Sequence, residues 1–184
     1  MESNFHRDFD LPWCKNLLRS DISIVEVPFQ HPLRNDTPLN KGVSNTMFRQ
    51  TLYSPDAIRA QINFKRPTAE ADSIIPWEYC YLLSLGSGID GKAGRAHGGF
   101  NALILDQITG TVASMVSGSF APATATMTVD YKAPIDTPGV VLCRSWAVER
   151  QGRKTWVKAR IEDGRGKLLA SAKSLFVDPR PEKI

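Results

Sequence analysis

The sequence predicts an α+β domain in which one long apolar helix lies against antiparallel strands. The helix is carried by "GGFNALILDQITGTVASMVS", Gly98 to about Ser117. There Phe100, Ile104, Ile108, Val112 and Met115 or Val116 recur at three- or four-residue spacing, a single helical stripe. The strands follow it. "ATATMTVDYKAP", "GVVLCRSWAVER", "KTWVKARIED" and "KLLASAKSLFV" alternate small or apolar with polar residues, the period of a half-buried strand. Gly139, Gly152, Gly164 and Gly166 mark their boundaries, and Asp163-Gly164-Arg165-Gly166 reads as a tight reversal. The plan is therefore strands, one helix, then four strands in antiparallel succession.

The first half fills in that plan. "LPWCKNLLRS" within residues 1–21 suits a short amphipathic helix, with Pro12 near its first turn and Leu11, Leu17 and Leu18 as its apolar face. "ISIVEVPF", Ile22 to Phe29, alternates like a strand. "QHPLRNDTPLNKG" collects the residues of a loop. Ser54-Pro55-Asp56 is a helix-start signal, yet "AIRAQINFKRP" after it suits helix or strand; the strand reading spans Arg59 to Lys65. "WEYCYLLSL" predicts a strand from Glu78 to Leu85. Residues 1–57 thus read as an N-terminal extension and 58–184 as the main domain, with no internal repeat.

Composition narrows the function. The 184 residues suit one domain with an extension. A net charge of +4, without a basic run or basic-aromatic interleaving, argues against a nucleic-acid groove. Cys14, Cys80 and Cys143 are odd in number and far apart, and form no metal-ligand spacing with His6, His31 or His97. A reduced, metal-free, cytoplasmic protein is expected. "MESNFHRDFDLPWCK" lacks the basic start and apolar run of a secretory signal, and no window approaches the ~18 apolar residues of a membrane span.

The stretch "LLSLGSGIDGKAGRAHGGF", Leu82 to Phe100, imitates two phosphate loops. Gly86, Gly88 and Gly91 satisfy G-x-G-x-x-G, but that fingerprint must open its helix directly and continue β-α-β. Here Lys92 to His97 intervene, and hairpins follow. Gly86, Gly91 and Lys92 also begin a P-loop, but Ala93 stands where a hydroxyl must meet magnesium. The glycines are expected to shape the turn from strand to helix.

Asp106 is the one charge between Phe100 and Ser119. At ~100° per residue it points about 200° from Ile104, away from the apolar stripe. Gly110 shares its face, with Ala113 and Ser114 beyond, and small residues there admit another backbone or subunit. A solvated face carries several charges, so a lone acid predicts an interface or cleft. Desolvation there makes a carboxylate a more competent nucleophile or general base.

"AHGGFNALILDQITG", followed by "TATMTVDYKAPI", resembles the hotdog-fold acyl thioesterases of the PaaI-like and thioesterase-superfamily-member type. "GRK" and the final "A-x-S-L-F" strand add to the likeness, which covers roughly Glu78 to Asp178. The N-terminal segment is loosely similar to that of fungal thioesterase-like proteins. The resemblance implies a hotdog fold, an antiparallel β-sheet wrapped around one long central helix. It also implies hydrolysis of an acyl thioester, on coenzyme A or a phosphopantetheine carrier, with no cofactor or metal, in a homodimer or tetramer. Asp106 matches the catalytic carboxylate. Gly98 matches the residue whose helix-terminal N–H polarises the thioester carbonyl. Thr124 matches a hydroxyl that holds the attacking water, supplied in hotdog dimers by the partner subunit. His97 shapes the loop, and Gly99 adjoins the substrate.

Lys132, Arg153 and Lys154 sit at strand ends or turns and could meet coenzyme A phosphates. Some relatives carry an Asn in the loop before H-G-G. "DGKAGR" has none, leaving Asp90 as a substitute or the role unfilled. Two other hotdog functions are compatible with these residues: a dehydratase with His97 as base, and a non-catalytic acyl-thioester-binding module. Acyl chain identity and pathway are not encoded in any of these motifs.

Overall fold

The computed structural model describes residues 5–20, 22–26 and 45–180. Helix α1 (Pro12–Arg19) and strand β1 (Ser23–Glu26) come first, then β2 (Ile58–Pro67) and β3 (Trp77–Leu85). A small hairpin, β4 (Asp90–Lys92) and β5 (Arg95–Ala96), precedes the long helix α2 (Gly98–Ser117). Strands β6 (Ala123–Tyr131), β7 (Gly139–Gln151), β8 (Lys154–Glu162) and β9 (Leu168–Val177) complete the chain. The expected loop at 30–42 and the end of the strand expected to reach Phe29 lie outside the described residues.

Seven strands form one antiparallel sheet in the order β1-β2-β3-β7-β8-β9-β6. The four late strands are therefore not a simple succession. β7, β8 and β9 form a meander, but β6 docks on the far side of β9. Helix α2 lies across β7, β8 and β9, so the strand that leaves it reaches the free edge. This wrapped helix is the hotdog arrangement.

The stripe on α2 is buried as its spacing predicts. Phe100, Ile104, Ile108 and Val112 are in the core with Tyr79, Tyr81, Leu83 and Leu85 of β3. The alternate β3 residues, Cys80 and Leu82, face a second core with Ile62 and Phe64 of β2, Phe9, and Cys14 of α1. Both faces of β3 are thus covered, which explains its continuous apolar run. The N-terminal segment is part of the same packing: β1 pairs with β2 and α1 covers the outer face. Leu11 does not join the α1 apolar face. It is the N-cap residue and exposed, and Cys14 is buried instead.

Ser54-Pro55-Asp56 forms a turn rather than a helix start. The Ala57 N–H donates to Ser54 Oγ (3.1 Å), and the Gly86 and Gly88 N–H groups donate to the carbonyls of Ala57 and Asp56. A Cβ on Gly86 would lie 2.4 Å from the Asp56 carbonyl oxygen. The first glycines of the nucleotide-like stretch therefore allow two backbones to meet.

On the outer face an ion-pair network replaces apolar packing. Arg144 of β7 donates to Glu70 (2.7 Å), Glu78 (2.8 Å) and Glu162 (2.9 Å), and Arg66 also reaches Glu78 (2.6 Å). Burial works against the Arg144 charge, but Glu78 and Glu162 outweigh it and raise its pKa. Trp146 lies under the guanidinium groups of Arg144 and Arg160 and donates to Asp72 (2.9 Å). The hydrogen bond from Lys158 lowers the Asp72 pKa. The 68–76 loop is thereby tied down across the sheet.

Arg144→Met leaves the buried Glu78 with Arg66 alone and removes the cation that Glu162 pairs with. A loss of about 3 kcal/mol is expected in denaturant unfolding, partly recovered by adding Glu78→Met. Equal stability of wild type and Arg144→Met would show that the network contributes little.

Candidate functional site at the helix start and at Asp106

The start of α2 is held by a set of local bonds. His97 is the N-cap, and its Nδ1 accepts from the Gly99 N–H (2.9 Å). Its own N–H donates to the Ile89 carbonyl (2.8 Å). A Cβ on Gly91 would sit 2.9 Å from His97 Cδ2, so glycine there makes room for the capping ring. Asp90, the possible substitute for the missing Asn, is fully engaged. Its carboxylate accepts from the Gly94 N–H (2.8 Å) and from the Thr137 hydroxyl. It fixes the β4–β5 turn, where Gly94 has φ +74°.

This anchoring leaves Gly98 exposed to a cleft. Its carbonyl accepts from the Tyr131 hydroxyl (3.0 Å), and its N–H has no acceptor among the described residues. First-turn N–H groups have no intrahelical partner and sit at the positive end of the helix dipole. The adjoining cleft, about 580 Å³, is lined by Lys92, Arg95, His97, Gly98, Asn101, Tyr131 and Lys132 among others. Arg95, Asn101 and Tyr131 carry no signal of this cleft in the sequence, and Lys92 stands out there only within the phosphate-loop pattern. The two cations were concealed in the glycine stretch, and Asn101 in a helical pattern otherwise read for its apolar residues.

Asp106 lies elsewhere. At ~1.5 Å per residue it is about 12 Å further along the helix than Gly98. It is partly buried, and its Oδ1 accepts from the Thr124 hydroxyl (2.9 Å). Within the chain, strand β6 therefore brings this hydroxyl to the acid on α2. A β-bulge makes this possible. Thr124 pairs with Phe176 and Thr126 with Leu175, so Ala125 is an extra residue in β6. Met127 and Val129 face α2, and strict alternation would turn Thr124 away. The extra residue reverses the parity and aims Thr124 at the helix.

The small face of α2 also behaves differently from expectation. Gly110 meets its own sheet: a Cβ there would lie 3.3 Å from the Phe176 ring. Thr109 is buried and donates to the Leu105 carbonyl (2.8 Å). At the C-terminal end Arg150 donates to the carbonyls of Val116 and Ser117 (2.7 and 3.3 Å), complementing the negative end of the dipole.

Of the expected phosphate contacts, only Lys132 lines the cleft. Arg153 and Lys154 occupy the β7–β8 turn, where Lys154 pairs with Val177 and Val177 with Ala123. They flank the Thr124 end of the sheet instead. The thiols offer no nucleophile: burial pushes Cys14 up to about 12 and raises Cys80 and Cys143 further. Among the described residues no three His, Cys, Asp or Glu side chains cluster as metal ligands, and no helix is long and apolar enough to cross a membrane.

Residues 93–170 match the thioesterase superfamily model. Mouse acyl-coenzyme A thioesterase THEM4 is 37% identical over 103 residues, which is 55% of this chain and 44% of that protein. The chain thus spans under half the length of this relative. Verlamelin biosynthesis protein B of a Lecanicillium species is 26% identical over 82% of this chain and 80% of its own. A solved thioesterase superfamily protein, RHA08564, superposes with TM-score 0.51 at 28% identity, over 55% of this chain and 49% of the other. The matched span contains the capped helix start, Asp106 and Thr124, and the chain has the hotdog fold.

Proposed function

We propose that this chain hydrolyses acyl thioesters of coenzyme A in sites shared between two copies. The observation that carries the reading is the bond from Thr124 to Asp106, an acid held on the one long helix. Asp106 draws a proton from a water that Thr124 positions, and the water oxygen attacks the thioester carbon. The alternative is direct attack by the carboxylate. In either case the Gly98 N–H steadies the oxyanion, the carbon–sulfur bond breaks, and the departing thiolate is protonated.

Gly98 and Asp106, about 12 Å apart in one chain, cannot serve one carbonyl. An antiparallel pair of helices would bring the Asp106 of one copy to the Gly98 of the other. Strand β6 favours such pairing. It is a sheet edge, only Met127 and Val129 are partly covered, and Phe120 and Tyr131 are exposed at its two ends. The same arrangement would carry Arg153 and Lys154 of one copy toward the Lys92, Arg95 and Lys132 of the other. That cationic surround suits coenzyme A phosphates. The dehydratase reading is weaker, because His97 already commits Nδ1 to the helix cap.

Thiol release from a panel of acyl-CoAs tests the reading. Asp106→Asn is expected to lower kcat by about 10²–10⁴-fold, and Thr124→Ala by a smaller factor. Undiminished turnover in Asp106→Asn would refute the assignment, and water elimination without thiol release would point to a dehydratase. Acyl-CoA binding with no thiol release by wild type would leave a binding module.

Proline is compatible with the first position of a helix and has no N–H, so Gly98→Pro removes the proposed oxyanion donor directly. A loss of at least about 10²-fold is expected. Mixing Asp106→Asn with Gly98→Pro and refolding them together should restore activity, because a mixed dimer holds one intact site. A site confined to one chain would show no restoration.

A further inference from the structure

Asn101 is the unusual residue of the cleft. It lies on the first turn of α2, is 6% exposed, and its Oδ1 has no hydrogen-bond partner among the described residues. A buried polar group left unpaired is destabilising, and a few per domain at most are tolerated. Other buried polar groups nearby are satisfied. Thr109, two turns on, donates to the Leu105 carbonyl and contacts Ser174 Oγ (3.2 Å). Among the described residues Thr155 Oγ1 is the other buried side-chain atom without a partner, but Thr155 does not line the cleft. Among the described residues, only Asn101 combines an unpaired side-chain oxygen with a place in the cleft wall.

Its position restricts what it can recognise. Asn101 is one turn from Gly98, about 4.5 Å along the axis. A group that bonds Asn101 while Gly98 holds the thioester oxygen must lie within a few bonds of the reacting carbon. In a pantetheine thioester the first amide is two methylenes beyond the sulfur. It carries an N–H donor and a carbonyl acceptor on one planar group. The Asn side chain carries the same two, and its terminal torsion is broad and roughly two-fold, so either end can turn toward the cleft. An acyl chain of plain methylenes has neither donor nor acceptor there.

We propose that Asn101 is a substrate-recognition residue that pairs with the amide of the pantetheine arm nearest the sulfur. This rests on the thioesterase reading and names the thiol half of its substrate. Selection by Asn101 acts on the arm common to coenzyme A and carrier proteins, while the cleft cations act on coenzyme A phosphates. The buried amide is the local stability cost of that selection, because it is completed only when the arm is bound.

The test compares wild type with Asn101→Leu, and with Asn101→Ala should leucine overpack. Substrates are one acyl group on coenzyme A, on pantetheine and on butanethiol, which has no amide. Asn101→Leu is expected to keep or raise Tm, since it removes an unpaired polar group. It should lower kcat/KM about tenfold on coenzyme A and pantetheine and leave butanethiol turnover near wild type. Equal losses on all three thiols, or no loss on any, would overturn the proposal. A loss on coenzyme A alone would also overturn it, by moving the effect to the nucleotide. If wild type released no thiol, the thioesterase reading would fall separately. Asn101 would then be judged by thermal shift with S-alkyl pantetheine, a non-hydrolysable thioether: a shift in wild type that Asn101→Leu abolishes supports it, and equal shifts refute it.

Discussion

The burial of one face of α2 against the sheet is the constraint on which the remaining structure depends. Phe100, Ile104, Ile108 and Val112 are removed from water by strands β3, β7, β8 and β9. Each such side chain contributes about 1.5–3 kcal/mol, so rotation of the helix about its axis would expose several at once. Gly110 lets the Phe176 ring approach closely, and Tyr81 and Thr111 share a hydroxyl–hydroxyl bond of 2.9 Å at the other flank. With rotation fixed, the directions of Asp106 and of the first-turn N–H groups follow. The ends are fixed separately, by the His97 cap and by Arg150 on the last carbonyls.

Against that apolar background the polar exceptions on the helix are few. Asp106 has Thr124, Thr109 has backbone carbonyls and Ser174, and Asn101 Oδ1 has no partner among the described residues. Departures from the packing rules tend to concentrate at functional positions. Here they sit at the helix start and along the flank facing β6. The β6 bulge belongs to the same group: one extra residue, Ala125, puts a hydroxyl in reach of the acid.

The outer face performs a different task. Helix α1 and the 68–76 loop cover strands that would otherwise be half exposed, one with apolar side chains and the other through the Arg144 and Trp146 network. That cover lies behind β3 and β7, two of the strands that pack against α2. A segment that reads as an extension is therefore packed on the sheet behind the site.

The sequence alone determined the features set by local periodicity and by the chemistry of single residues. The apolar repeat from Phe100 to Val112 specified the helix, the alternation after Ala123 specified strands, and a lone acid at Asp106 stood out because its neighbours were greasy. Only the tertiary structure decided what depends on distant segments meeting. The docking of β6 beside β9 is non-local, so no period in β6 reveals its neighbour. The bulge that turns Thr124 inward exists only as a mismatch between two strands. Asp56 against Gly86, and Asp90 with Thr137, are likewise meetings of remote residues. The unpaired state of Asn101 was equally hidden, because whether a polar group finds a partner is settled by what surrounds it after folding.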